Sequence, residues 1–329
     1  MKSLILSSED ILSCMDHVGL QNAMADALRS YSLGAAKNYP RHVIQHAKHQ
    51  ALGYMAGSDP EEGLLGFKTV SVFAENKFSG LNPHQGTVTL LDSATGMVRT
   101  ILEGSTLTAI RTAAVSAVAT NILATSSSET LALIGVGRQA FEHALALTRV
   151  RQFERILIFS RSSDSMESLA RVLRDSLSLG VIKAKSPLDA IAQADVIVTC
   201  TSSPEPLIDV KDIPEGAHVN AVGACRPGYR EINIHDSSNL SIFLDSRAAC
   251  SVEASEISLP LLNATLSEST IMGEIGECLA GRISGRRNGR EITVFKSVGL
   301  GIEDIFAANY IDKVARHKGV GTLVDLKGL

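Results

Sequence analysis

The stretch Leu131-Ala-Leu-Ile-Gly-Val-Gly-Arg-Gln-Ala places a Gly135-x-Gly137-x-x-Ala140 spacing between an apolar run and a helix-like segment through His143, Leu145 and Leu147. In such a turn the first glycine bends tightly and the second lets backbone approach a pyrophosphate. The third small residue lets helix and strand pack closely. The helix N-terminus adds unpaired N–H groups and the positive end of a dipole. A glycine-rich packing turn would use the same residues, so the flanks carry the choice. A second apolar strand, 155–160, follows about 20 residues on, where a cofactor ribose is read. It ends in Ser160-Arg161-Ser162-Ser163. An NAD-selective site usually presents an acid there to the ribose 2′-OH. An arginine among hydroxyls suits a 2′-phosphate instead, so NADPH is expected, with NADH possible.

Three cations precede this motif: Arg41 after Pro40, Lys68 in Gly-Phe-Lys, and Arg111 in Thr-Ala-Ile-Arg-Thr-Ala-Ala. Taken singly, Arg41 and Lys68 read as surface cations. Arg111 interrupts an apolar helix face, where an unpaired guanidinium is costly, so it should meet an anion: a substrate carboxylate or a cofactor phosphate. His42, His46 and His49 have no acidic or cysteine partner motif such as HExxH and are read as polar positions on an extended segment, with no metal expected. His84 sits in a Pro-His-Gln-Gly loop. Neither a G-x-S-x-G elbow nor a P-loop is present, which removes support for hydrolase and kinase readings.

The elements that must position these residues follow from periodicity. Residues 8–33 carry helical spacing up to Gly34, and 66–73 reads as extended. Segments 86–91 and 97–102 flank Asp92-Ser-Ala-Thr-Gly96, a hairpin signal. A long Ala- and Val-rich helix is expected near 106–124. Strand candidates then recur at 131–134, 156–160, 196–200, 218–222 and 242–245, with helices near 138–150, 164–178 and 187–194. That alternation is the pattern of an α/β, doubly wound parallel sheet covered on both faces. A strand at 292–298 precedes a helix starting near Glu303.

The chain has 329 residues, 45% apolar and 20% charged, with a formal net charge of −4. The length allows two domains. The charge argues against a nucleic-acid surface, and the basic cluster Arg282–Arg290 reads as a solvated turn. The longest apolar run, 109–124, contains Arg111, Thr120 and Asn121 and reads as a buried helix, not a membrane span. Five cysteines without metal-ligand spacing, and an N-terminus that turns acidic early, fit reduced thiols in a cytoplasm.

Taken together, these residues resemble the ornithine cyclodeaminase/mu-crystallin family over essentially the full length. The matching stretches are Gly66-Phe-Lys68 with Asn76 and Pro83-His-Gln-Gly86; Leu91-Asp-Ser-Ala-Thr-Gly96; Thr108-Ala-Ile-Arg-Thr-Ala-Ala114; and Ile134-Gly-Val-Gly-Arg-Gln-Ala140. Further along come Ala194-Asp-Val-Ile-Val-Thr199 with Thr201, His218-Val-Asn-Ala-Val-Gly-Ala224, and Ile292-Thr-Val-Phe-Lys-Ser-Val-Gly299 with Asp304. The resemblance implies a Rossmann domain (116–304) inserted into a mixed α+β substrate-binding and dimerisation domain (1–115 with 305–329), and a homodimer. It assigns the substrate carboxylate to Arg41, Lys68 and Arg111, with Asp304 beside them, and makes Lys68 the catalytic residue. It assigns the cofactor to His84, Arg111, Thr112, Gly135, Val136, Gly137, Arg138, Gln139, Ser160, Arg161, Ser162, Thr201 and Val222.

One loop separates the branches of the family. Cyclodeaminases resembling this chain carry a catalytic aspartate in a Gly-Asp-Cys-Pro-Gly-type loop. Here the loop reads Gly223-Ala-Cys-Arg-Pro-Gly228, with Cys225 at that position. A neutral thiol is a poor substitute for a proton-shuttling carboxylate. With Tyr229-Arg-Glu231 following it, the loop resembles the ketimine-reductase branch. The implied reaction is NAD(P)H-dependent reduction of a small cyclic imino acid, Δ1-pyrroline-2-carboxylate or Δ1-piperideine-2-carboxylate, to proline or pipecolate. The alternatives are reductive amination of a keto acid, as in alanine dehydrogenases, ornithine cyclodeamination, and ligand carriage without catalysis.

Overall fold

The computed structural model describes residues 2–326. The chain divides into two compact units, 1–111 with 300–329 and 112–299. Both junctions fall a few residues earlier than the sequence expectation, the second because Glu303 and Asp304 are held by Arg111 and Lys68 of the first unit.

The first unit contains β1 (Ser3–Leu6), α1 (Ser8–Cys14), α2 (His17–Leu33), β2 (Lys37–Asn38), β3 (His42–Ala47), β4 (Gln50–Asp59), β5 (Leu64–Phe73), β6 (His84–Asp92) and β7 (Val98–Glu103). The helix α3 (Gly104–Leu123) carries the chain into the second unit. That unit contains β8 (Thr130–Ile134), α4 (Arg138–Leu147), β9 (Arg155–Phe159), α5 (Ser163–Leu177), β10 (Gly180–Lys183), α6 (Pro187–Ile191) and β11 (Val196–Thr199). It continues through β12 (Ile208–Asp209), β13 (His218–Ala221), β14 (Ile232–Asn233), β15 (Leu240–Leu244), α7 (Arg247–Glu253), α8 (Ser255–Leu262), β16 (Ile271–Glu274), α9 (Ile275–Leu279) and β17 (Ile292–Lys296). The first unit is then completed by α10 (Gly301–Lys318) and β18 (Thr322–Val324).

In the first unit the sheet order is β18-β1-β7-β6-β5-β4-β2, with β3 also paired to β4. The sequence implied one helix over 8–33. Two form, because Asp16 caps a fresh start: its carboxylate accepts the Gly19 N–H at 2.7 Å. Gly34 ends α2 in the left-handed conformation, φ +86°. The expected hairpin joins β6 to β7, its turn closed by Asp92 Oδ1 accepting from the Thr95 N–H and hydroxyl.

Against this sheet lies α10, and two glycines let it approach. A Cβ on Gly57 would stand 3.1 Å from the Ile302 backbone, and one on Gly301 would stand 3.0 Å from the Ala56 carbonyl. Further along, the buried Asp312 accepts from Arg99 and Thr100 on β7 and from Arg316 on its own helix. The C-terminal helix is thus fastened to the N-terminal sheet at both ends.

In the second unit the strands run in the order β10-β9-β8-β11-β13-β17-β15-β16, every neighbouring pair parallel. This is the doubly wound arrangement, its direction of winding reversing between β8 and β11. Strands β8, β11, β13, β15 and β17 are buried at every residue, which explains their near-continuous apolar runs. The edge strands β10 and β16 escaped the sequence reading, since half-exposed edges carry too few apolar residues.

The basic cluster 282–290 is more than a solvated turn. Arg286 is half-buried and donates to the carbonyls of Leu123, Ala217 and Glu291 and to the Thr293 hydroxyl. Arg151 likewise donates to the carbonyls of Thr120, Asn121, Ala124 and Thr125. Carbonyls at and just beyond the end of α3 lack a full set of helical partners, and these two guanidinium groups donate to them. Most of α3 is buried, as the sequence implied, despite its being long and apolar enough to span a membrane.

Candidate active site

In β5 alternate residues turn inward, so Leu64, Gly66 and Lys68 share the face covered by α10. Lys68 is 5% exposed, and its ammonium lies 2.6 Å from Asp304 Oδ2 and 3.5 Å from the Thr108 hydroxyl. Arg111 is 3% exposed; its Nε donates to Asp304 Oδ1 at 2.8 Å and its Nη1 to Glu303 Oε2 at 2.5 Å. The anions that Arg111 was expected to meet are therefore supplied first by the chain itself. Glu303 also caps α10 by accepting the Leu300 N–H.

Burial opposes every charge in this group, and the partners answer it. Desolvation is the largest influence on Lys68; with Arg111 and Arg41 also repelling its proton and Asp304 holding it, the ammonium falls to about 8. Burial pushes Asp304 upward, but Arg111 and Lys68 outweigh it and hold the carboxyl below the ordinary range. Lys68 is therefore a lysine that can both hold an anion and part with a proton near neutral pH. Arg41, half-buried just before β3, contributes to the same local field.

His42 and His46 lie on β3, whose residues are all exposed, and His42 stacks on Tyr54 at 6.0 Å. His84 opens β6 in the first unit and is exposed, while Thr112 is buried on α3 at the start of the second unit.

The remaining expected cofactor residues gather at the carboxyl ends of the parallel strands: Gly135, Val136 and Gly137 after β8, Ser160–Ser162 after β9, Thr201 after β11 and Val222 after β13. Ligands of doubly wound sheets bind there, at the point where the winding reverses. Gly135 has φ +114°, and a Cβ on it would strike the Cys200 carbonyl at 2.7 Å, so the tight turn requires glycine. Gly137 is the N-cap of α4 with no side-chain cap, and open space surrounds the position its Cβ would take. That is a cradle a phosphate can enter, and the residues present fit a dinucleotide. Arg138 leans on Glu142 at 3.5 Å, the Gln139 carbonyl accepts from His143, and Arg161 stands exposed at the end of β9.

A group to which the sequence reading assigned no role lies beneath the 223–228 loop. Glu231, fully buried, accepts from the Thr201 N–H, the Gly223 N–H and the Thr199 hydroxyl. Glu256 accepts the Glu231 N–H at 3.0 Å and pairs with Lys296 at 2.7 Å; Lys296 in turn donates to the Ala224 carbonyl. Burial and the Glu256 charge raise the Glu231 carboxyl, while Lys296 opposes them. Cys225 packs against the apolar core beside this network. A buried Glu–Glu–Lys set separated by 25 and more residues leaves no local spacing signal.

The chain is similar to known proteins along most of its length. The model of the ornithine cyclodeaminase/mu-crystallin family matches residues 1–319. A Delta(1)-pyrroline-2-carboxylate reductase of Bacillus cereus is 37% identical over 267 residues, 80% of this chain and 82% of the relative. The ketimine reductase mu-crystallin of Macropus fuliginosus is 33% identical over 312 residues, 93% of this chain and 95% of the relative. The Delta(1)-pyrroline-2-carboxylate reductase of Thermococcus litoralis, solved with NADH and L-proline, has a TM-score of 0.92 at 32% identity. It covers 97% of this chain and 99% of that one. With a family match over nearly every residue, the expected signatures in order and the inserted doubly wound unit in place, the chain belongs to the ornithine cyclodeaminase/mu-crystallin family.

Proposed function

We propose that this protein reduces a small cyclic imino acid, Δ1-pyrroline-2-carboxylate or its six-membered homologue, to the corresponding cyclic amino acid with NADPH or NADH. The observation that carries the reading is the buried Lys68–Asp304–Arg111–Glu303 set. Two cations fixed by two carboxylates, with Arg41 adding its charge, leave one net positive charge, which matches a monocarboxylate. Arg41 and Arg111 fasten the substrate carboxylate, so the imine carbon is oriented rather than freely tumbling. Lys68 completes the anion site and, with its lowered proton affinity, supplies or keeps the proton at the imine nitrogen. Asp304 holds Lys68 in place and restores its charge.

When bound, the dinucleotide supplies the hydride. Gly135 to Gly137 and the start of α4 hold its pyrophosphate, and Ser160, Arg161 and Ser162 read its ribose. Arg161 supports NADPH preference, since its guanidinium matches a 2′-phosphate. Cys225 at the cyclodeaminase aspartate position supports reduction over deamination. We also propose a homodimer built on the first unit, whose β3–β4 pair exposes Ile44, Leu52 and Tyr54 on one face, and a cytoplasmic location consistent with five free cysteines.

The test is cofactor oxidation with five- and six-membered cyclic imino acids, against pyruvate plus ammonium and ornithine. Turnover of a cyclic imine without ammonium is expected. Turnover dependent on ammonium and keto acid, or ammonia release from ornithine, would overturn the proposal.

A further inference from the structure

The winding of the second unit divides any bound dinucleotide into two halves. The adenosine half belongs over β8 and β9, where Ser160–Ser162 close the second strand. The nicotinamide half must then cross to the ends of β11 and β13, where Thr201, Val222 and Gly223 lie. The registered ladder between those strands stops at Thr199–Ala221. Beyond it, Val222 and Gly223 still donate to the Thr199 carbonyl, and a buried carboxylate adds a second tie. Glu231 Oε1 accepts the Thr201 N–H at 2.5 Å, and Oε2 accepts the Gly223 N–H at 2.7 Å and the Thr199 hydroxyl at 2.9 Å. The fit is close: a Cβ on Gly223 would lie 2.3 Å from the Thr201 carbonyl and 2.6 Å from Glu231 itself.

Glu231 is held in its turn. Glu256 accepts both the Glu231 and Ile232 N–H groups, and Lys296 bridges Glu256 to the Ala224 carbonyl on the far side of the loop. All three side chains are sealed from solvent. A charged, fully enclosed triad is a costly way to hold two strand ends unless their spacing matters.

We propose that Glu231 is a positioning residue for the nicotinamide half of the cofactor, its carboxylate setting the separation of the Thr201 and Gly223 backbones on which that half rests. The inference rests on the dinucleotide reading above and says nothing of the adenosine half. Glu231→Gln keeps the shape but turns an N–H donor toward one of the strand-end donors, leaving a mismatch in a buried site.

The experiment measures the affinity of the full chain for NADH and for ADP-ribose, which shares the adenosine and pyrophosphate but lacks the nicotinamide ring. In Glu231→Gln the NADH affinity should fall about tenfold, as a buried unsatisfied donor implies. The ADP-ribose affinity should stay within about twofold of wild type, since the phosphate cradle at α4 is untouched. Parallel loss of both ligands, or unchanged NADH binding, would overturn the proposal. Should Glu231→Gln fail to fold, Thr199→Val removes one donor at nearly constant shape. It should weaken NADH alone by about threefold, since the carboxylate keeps both of its backbone donors; equal effects on both ligands would again overturn it. Wild-type protein that binds neither ligand would instead defeat the dinucleotide reading itself.

Discussion

Replacing Asp304 with asparagine tests the cation site most directly. Asparagine preserves shape and removes the charge that Lys68 and Arg111 share. Lys68 sits near 8 because burial and Arg111 press its proton off while Asp304 holds it on. With that value, about nine tenths of the lysine is charged at pH 7 and about one tenth at pH 9. If the ammonium fastens the substrate carboxylate, wild-type kcat/KM, which reports the free enzyme, should fall about tenfold per pH unit above 8.

The Lys68–Asp304 contact is 2.6 Å and closed to solvent. Two unit charges roughly 4 Å apart at an effective dielectric near 20 interact by about 4 kcal/mol. Even a third of that moves a proton affinity by about one unit. Asp304→Asn should therefore shift the alkaline limb from near 8 to 7 or below and cut kcat/KM at least about threefold at about pH 7.5. Glu303 still pairs with Arg111, so the helix retains an anchor. The assay is steady-state imine reduction across pH, followed by cofactor absorbance, with denaturant unfolding as the fold control. A limb that stays at 8, or moves upward, would refute Lys68 as the titrating group.

Two further outcomes follow from described contacts. Arg161→Ala should raise the KM for NADPH about tenfold while leaving NADH nearly unchanged, the loss of one charge-assisted contact to a 2′-phosphate; equal changes with both cofactors would refute the phosphate role. Gly57→Val places methyl groups against the Ile302 backbone, which a Cβ would already approach to 3.1 Å. It should lower stability by about 1–3 kcal/mol, as overpacking does, and should reduce imine turnover by lifting Asp304 off Lys68. An unchanged urea midpoint would refute the account of how α10 is seated.

The parallel sheet and its glycine-rich turn were legible because each rests on a local signal: buried strands read as apolar runs, and Gly135 and Gly137 stand at fixed spacing before a helix. The break between α1 and α2 was missed because Asp16 interrupts a continuous apolar stripe with only a cap. Edge strands β10 and β16 were missed because a half-exposed strand carries little pattern. Arg111 was rightly suspected of meeting an anion, but its partners lie 192 and 193 positions away, and no window of sequence shows such a pairing. Arg286 and Glu231 share that property. Most of their partners are backbone atoms, which every residue possesses, so little in the side-chain alphabet announces their roles.

The first unit is built from two stretches of chain with the whole second unit between them. During synthesis Lys68 and Arg111 emerge long before the carboxylates that neutralise them, and the inserted unit has every one of its strands available first. Completion of the anion site thus waits on the final helix, so a nascent chain stopped short of residue 300 would hold a finished nucleotide fold but two unbalanced cations. The residues that neutralise the two cations thus follow the nucleotide fold in chain order.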